Sequence, residues 1–325
     1  MATEQEAVQT VKDAMQTLRQ QLLDGKVFKH LPDALGEIYN ARPSFQETPF
    51  TTPDDDMRAL ARISSISKRI KGSNDPKISD EELSFLMDHL ASLSPAVRDK
   101  GVFFLMGDLF QADAFTVAQI DWLATYLQRP DVLFAHILEP QNDAVFLRSF
   151  AVMLLSGLVY ADSRYHVLSA EAHEALTLNF ATYIILERDG RGYVDPQGWA
   201  HAYTHIGNLA DELSQVKVLS RGHKLFLMAT VLEGWQRMDD ALVFGEDQRI
   251  AGYLTNLAVK HQFYAESLVM CLTSWQKRVT TMRPRESEAF WNRWYNRLRL
   301  LEALIIRSDM PKGVIDYLQK IIDVY

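Results

Sequence analysis

Apolar residues recur along this chain at spacings of three and four almost throughout. Near the start, Val8, Val11, Met15, Leu18 and Leu22 share one helical face. Thr3 or a neighbour opens that helix and Gly25 closes it. Leu60, Ile63, Ile66 and Ile70 repeat the pattern before Gly72. Asp54, Asp55 and Asp56 stand just ahead of this second stripe, where negative charge favours a helix start. Ser79-Asp80-Glu81-Glu82 reads as a capping box before Leu83, Leu86 and Leu90. Ser94-Pro95 opens the next helix, because the missing N–H of proline costs little at the first helical position. Further helices are predicted near 116–128, 144–161, 169–188, 195–213, 220–236, 246–260, 263–275, 285–308 and 312–323. No segment sustains a period-two alternation, so the expected fold class is all-α.

Some of these helices look like copies. The segments Arg98 to Gly107, Arg148 to Gly157 and Gly198 to Gly207 lie fifty residues apart, with glycine at the end of each. A fourth candidate copy starts at Arg249, one residue out of step. Paired helices with such recurrence predict a HEAT-like, right-handed stack, an α-solenoid in which each pair buries its face against its neighbours. Chance similarity between amphipathic helices of equal length is the alternative. Residues 42–56, rich in proline and aspartate, read as a linker. On this reading residues 1–78 form a less regular N-terminal cap, and residues 79–325 form the helical-repeat domain.

Composition narrows the class. Hydrophobic residues are 47% and charged residues 23%, the balance of a globular chain, and glycine (15) and proline (11) are too few for a many-turned β fold. A net charge of −8 argues against bulk nucleic-acid binding, which needs excess Lys and Arg. Cys271 is the one cysteine, so no intrachain disulfide forms; its apolar surroundings predict a buried structural thiol. Residues 1–25 are amphipathic without an apolar signal core, and no run of about eighteen apolar residues stands out. The expectation is a cytoplasmic protein with no membrane span.

The third copy carries the candidate chemistry. Gly101 and Ala151 of the earlier copies correspond to His201, and Leu105 and Leu155 correspond to His205. A glycine-rich charged loop, Glu187-Arg188-Asp189-Gly190-Arg191-Gly192, leads into this segment. Asp195-Pro196 reads as an N-cap and first-turn pair, a structural role rather than a catalytic acid. His201 and His205, four apart on a helix, would lie one above the other, with Asn208 and Asp211 on roughly the same side. Two imidazoles so placed can share a divalent metal, given a third ligand from Asp189, Glu187 or Asp211. They can equally act as general acid and base, or be satisfied by loop groups as a structural pair. The glutamate that follows the first histidine in zinc proteases is Ala202 here. Arg191 suits an anionic ligand or an ion pair within the loop, and Trp199 suits an apolar wall.

Taken together, Asp189-x-Arg191-Gly192-Tyr193-Val194 and Gly198-Trp199-x-His201-Ala202-x-x-His205 resemble the signature of DUF2785, a bacterial family of uncharacterised proteins. The resemblance runs from about residue 80 onward, and Val243 to Arg249 looks like a further family feature. It implies an all-helical fold and no assigned activity. It marks Asp189, Arg191, Gly192, Gly198, Trp199, His201 and His205 as the shared positions. The family pattern more often carries an acidic residue where this chain has Asn208, which weakens a carboxylate-assisted metal site.

Two other features have ordinary readings. Glu246-Asp247 fits the first-turn preference for acids, unless its loop meets the Asp189 loop. Between 277 and 299, Lys277, Arg278, Arg283, Arg285, Arg293, Arg297 and Arg299 outnumber Glu286 and Glu288, with Phe290, Trp291, Trp294 and Tyr295 among them. That mixture suits a nucleic-acid groove, or aromatics facing the core under a basic surface. No phosphate loop, dinucleotide fingerprint, serine-hydrolase elbow or CxxC is present. The leading expectation is a binding or scaffold module with a protein partner. The alternative is an enzyme or a small-ligand or metal-binding protein, with Trp199, Arg191 and Asn208 as ligand contacts and His201, His205, Asp189 and Arg191 as candidate catalytic residues.

Overall fold

Capping chemistry sets where the helices begin. In the computed structural model, which describes residues 3–283 and 286–322, Thr3 caps α1 (Glu4–Leu23) through a box with Glu6. α2 (Leu31–Ala41) and α3 (Asp56–Lys71) follow. The Ser79 box forms as expected: its hydroxyl accepts from the Glu82 N–H at 3.2 Å and starts α4 (Asp80–Asp88). Pro95 begins the short α5 (Pro95–Val97), which runs through a π-helical turn, Arg98–Phe103, into α6 (Phe104–Gln111). Then come α7 (Val117–Leu127), α8 (Pro130–Leu133), α9 (Ala144–Tyr165) and α10 (Ala170–Leu186). After a hairpin, β1 (Tyr193–Val194) and β2 (Gly198–Trp199), the chain continues as α11 (Ala202–Gln215), α12 (Arg221–Gln236), α13 (Glu246–Ala258), α14 (Gln262–Thr281), α15 (Glu288–Ile305) and α16 (Lys312–Ile321). Arg285 of the basic segment and Asp323 of the last expected helix lie outside the described residues.

The C-terminal helices pair in two layers. α9, α11, α13 and α15 lie side by side in one, and α10, α12, α14 and α16 in the other. α1 and α2 rest on α10 and α12, while α7 and α8 cover α9. The core therefore runs between the layers, and helices enclosed there lose their polar face: α12 is buried without a break from Leu225 to Trp235.

Three expectations change. Among the described residues the fold is all-α apart from the hairpin, which no period-two pattern announced because each strand has only two residues. The segment 42–56 has neither helix nor strand before Asp56, but it is no free linker. Arg42 donates to the Ile185 carbonyl at 2.8 Å, Phe45 N–H to Leu138 at 3.0 Å and Thr48 Oγ1 to Glu139 at 2.6 Å. Finally, α9 is by length and composition apolar enough to cross a membrane, yet it is mostly buried among its neighbours as a core helix.

The fifty-residue recurrence also divides. Its first copy is part π-helix, its second lies inside α9, and its third is helical only from Ala202. The three glycines do different jobs. A Cβ at Gly107 would meet nothing within 4 Å, and one at Gly157 would make ordinary contact with Phe110 at 3.6 Å. At Gly207 it would strike Arg249 Cγ at 2.7 Å and the Arg249 backbone at 3.2 Å, so this glycine alone lets α11 and α13 approach.

Candidate functional site

The signature segment is a clamped hairpin, not the start of a helix. Tyr193 pairs with Trp199 and Val194 with Gly198. The ladder extends outward as Ala200 N–H donates to the Gly192 carbonyl at 2.8 Å and His201 N–H to Arg191 at 3.2 Å. Asp195-Pro196, expected to cap a helix, lies in the hairpin turn with a cis peptide bond. The reason is tertiary. Buried Arg98 donates to the Gln197 carbonyl at 2.8 Å and to Ser92 at 3.0 Å, and its guanidinium lies 4.4 Å over the Phe146 ring. That cation, paired with Asp99 at 2.7 Å, seats the turn. Neither Arg98 nor its part in the site was visible in the sequence, where it read as the first residue of a repeat.

The loop before the hairpin is saturated with its own charges. Glu187 takes two parallel bonds from Arg148, each 2.9 Å, with both side chains 1% exposed. Asp189 is held by Arg191 Nη2 at 2.7 Å and Nε at 2.9 Å. Burial pushes the Asp189 carboxyl up, and Arg191 opposes that. Arg191 also reaches the Asn142 carbonyl at 3.1 Å and Asp143 at 3.5 Å. Asp240, which the sequence did not single out, accepts the Gly190 N–H at 2.7 Å. Asp189 and Arg191 thus bind each other rather than the histidines. Among the described residues, no hydrogen bond joins either histidine to Glu187, Asp189 or Asp211.

His201 stands before α11, not on it, as a left-handed residue with φ 55°. Its carbonyl accepts the His205 N–H at 3.1 Å, so the four-residue spacing still brings the rings together, with centroids 6.2 Å apart. The His201 Nε2 is buried and has no hydrogen-bond partner. His205 donates from Nδ1 to the Ser149 carbonyl at 2.9 Å, since a carbonyl only accepts, and this leaves Nε2 as its lone-pair nitrogen. Burial lowers both pKa values, that of His205 to about 3, with His201 adding to the effect. Both shifts favour the neutral rings at pH 7. Two imidazoles on one tetrahedral ion would hold their centroids about 5 Å apart, so these would have to close by about 1 Å to share a metal. Among the described residues, no group of three or more His, Cys, Asp or Glu is arranged to hold one.

On the outer side the hairpin carries an aromatic shelf. Trp199 is 38% exposed, Tyr193 50% and Phe244 47%. Trp199 meets Tyr193 edge-on at 5.0 Å and Phe244 at 5.3 Å, and its inner face lies 4.1 Å from His201. Phe244 sits directly on Gly192, where a Cβ would lie 2.1 Å from its ring. The loop before α13 thus meets the Asp189 loop, through Phe244 rather than through Glu246. Glu246 is buried and accepts the Phe244 N–H at 2.7 Å, which fixes the loop. The apolar pair Val243-Phe244, which opens the second stretch resembling the family, was the available signal for this contact, and both residues are exposed.

The remaining candidates separate from this site. Asn208 points its amide toward Met153 at 3.2 Å and lines a groove with Asp211, Glu212 and Arg249 between α9, α11 and α13. In the basic segment, Arg278 pairs with Glu233 at 2.8 Å, Arg293 with Asp239 at 2.6 Å, and buried Arg297 bonds Gln276 at 2.6 Å. These arginines hold α14 and α15 to their neighbours. Cys271 is buried, and its thiol is pushed up to about 12 by burial, as an inert core residue.

No curated protein and no solved structure matches this chain. A family model described as a protein of unknown function (DUF2785) matches residues 133–306, a narrower span than the sequence resemblance suggested. That span holds the hairpin, both histidines, the shelf and every groove residue except Arg307, though not Arg98, which seats the turn. It covers more than half of the 325 residues, so the chain belongs to the DUF2785 family.

Proposed function

We propose that this chain is a cytoplasmic binding module, a HEAT-like stack of helix pairs over residues 79–325 capped by residues 1–78, and that it holds a protein partner on the Tyr193–Trp199–Phe244 shelf. The carrying observation is the shelf itself: three large aromatic rings, with Trp199 touching both Tyr193 and Phe244, each more than a third exposed. Rings so placed gain by burial in a partner, and Trp and Tyr concentrate binding energy at protein interfaces. The clamped hairpin supports this reading, because a rigid platform loses little entropy on binding. The two helical layers support the stack.

Capture from a lysate of the source cells, comparing wild type with the Trp199→Ala/Phe244→Ala variant, tests it. A partner retained by the wild type and lost by a variant of unchanged melting temperature supports the reading. Equal recovery by both overturns it.

One observation keeps a second reading, a metal or small-ligand site at the histidine pair: the buried, unpartnered Nε2 of His201. Elemental analysis of tag-free protein decides it. About one zinc, manganese or iron per chain, lost in His205→Ala, favours a metal centre, and trace metal removes it.

A further inference from the structure

A groove of about 650 Å³ runs between α9, α11 and α13, on the side of α11 that carries Asn208. Its volume lies within the range of pockets that hold small molecules. Its walls are polar and of both signs. α11 contributes Asp211 and Glu212, and the opposite side contributes Arg249 of α13 and Arg307 just beyond α15.

The charges in this groove are left largely unspent, unlike those around Glu187 and Glu233. Asp211 takes two bonds from the Asn256 amide, at 3.0 and 3.1 Å, which hold it in place without neutralising it. Among the described residues, Glu212 has no hydrogen bond or ion pair. Burial raises its pKa and the Asp211 charge raises it further, the condition of a carboxylate lacking a cation. The Arg249 side chain has no hydrogen bond or carboxylate partner among the described residues. Its stem lies on Gly207, which fixes where the guanidinium leaves α13. Arg307 reaches only Asp309, at 3.5 Å. The hydroxyl of Tyr253, a groove-lining residue 1% exposed, is buried without a partner.

Opposite charges that line one groove, with no ion pair joining them among the described residues, match a molecule that carries both signs. The geometry points to a binding site for a small zwitterion, its ammonium held by Asp211 and Glu212 and its carboxylate by Arg249 and Arg307. Free α-amino acids and dipeptides are the chemical class that fits. The planar guanidinium takes a carboxylate through two parallel bonds, and the adjacent carboxylates take an ammonium. Asn208 and Gln248 supply neutral donors and acceptors along the groove. None of the three shelf rings lines this groove.

Calorimetric titration of the full chain with free α-amino acids and dipeptides tests the inference, with methylamine and propionate as single-charge controls. The expected result is at least one zwitterion with a dissociation constant below about 1 mM and controls at least about tenfold weaker. Glu212→Gln and Arg249→Gln should each weaken binding by about tenfold, equal to about 1.4 kcal/mol, and leave the unliganded melting temperature unchanged. Trp199→Ala/Phe244→Ala should bind the zwitterion as the wild type does, which keeps this result separate from the fate of the shelf. The inference is overturned if no panel member binds, if propionate binds as well as the zwitterion, or if either charge variant binds like the wild type.

Discussion

The two halves of the signature segment are built on opposite principles. From Glu187 to Arg191, both buried carboxylates have a cation, Arg148 for Glu187 and Arg191 for Asp189, and Asp240 accepts the Gly190 N–H. From Tyr193 to His201, the rings face outward and the His201 Nε2 lacks a partner. The carboxylates of the first half are saturated, and a saturated group has little left to offer a ligand. The second half holds exposed apolar area and an unmet polar atom on a rigid frame. Shared signature positions therefore divide into those that hold the frame and those that the frame presents.

The strongest way to break that comparison is to remove one charge of the saturated half. Glu187→Ala strands Arg148 in the core and takes away an acceptor used by the Arg188 and Asp189 N–H groups. A loss of about 3 to 5 kcal/mol is expected in urea denaturation. A loss under about 1 kcal/mol would show that the frame does not depend on this pair.

Acid provides the next test. An unfolded histidine binds its proton near pH 6.5, whereas folded His205 takes none until about 3. Between these values the unfolded state carries the extra proton, so stability falls as pH falls from about 6.5 toward 3. At about pH 4.5 this one residue should cost about 2 to 3 kcal/mol relative to neutral pH. The His205→Asn variant, which cannot titrate, should show a flatter stability curve over that window. Parallel curves for the two proteins would mean that His205 is not held neutral.

Glycine substitutions sharpen the picture at smaller cost. Gly207→Ala forces α13 away from α11 and should lose about 1 to 3 kcal/mol. Gly107→Ala meets open space inside α6 and should gain about 0.5 to 1 kcal/mol, as alanine does within a helix. Equal thermal shifts of one sign would restore the idea of a repeated glycine with one role. The smallest effect belongs to the presented half: Phe244→Ala, which removes a half-exposed ring, should cost about 1 kcal/mol or less by chemical denaturation. A larger loss would place Phe244 in the frame.

The amphipathic helices were legible because burial on one side imposes a spacing of three and four, and Ser79, Thr3 and Pro95 marked starts by chemistry local to the chain. The histidine pair was legible as a departure from its neighbours. Asp195-Pro196 was misread because the same residues suit a cap or a turn, and Arg98, ninety-nine residues away from Gln197, made the choice. Phe244 stood in a stretch that resembled the family, but its part in the site was missed for the same reason, since it reaches the hairpin through space.

What the sequence by itself determined is the all-helical class and the family signature, because periodicity and capping act over a few residues. What only the tertiary structure decided is the role of each signature residue. Arg191 turned to Asp189, Trp199 to Phe244 and His205 to the Ser149 carbonyl. Whether a charge or a ring is spent inside or left to face a partner depends on which distant groups folding brings beside it.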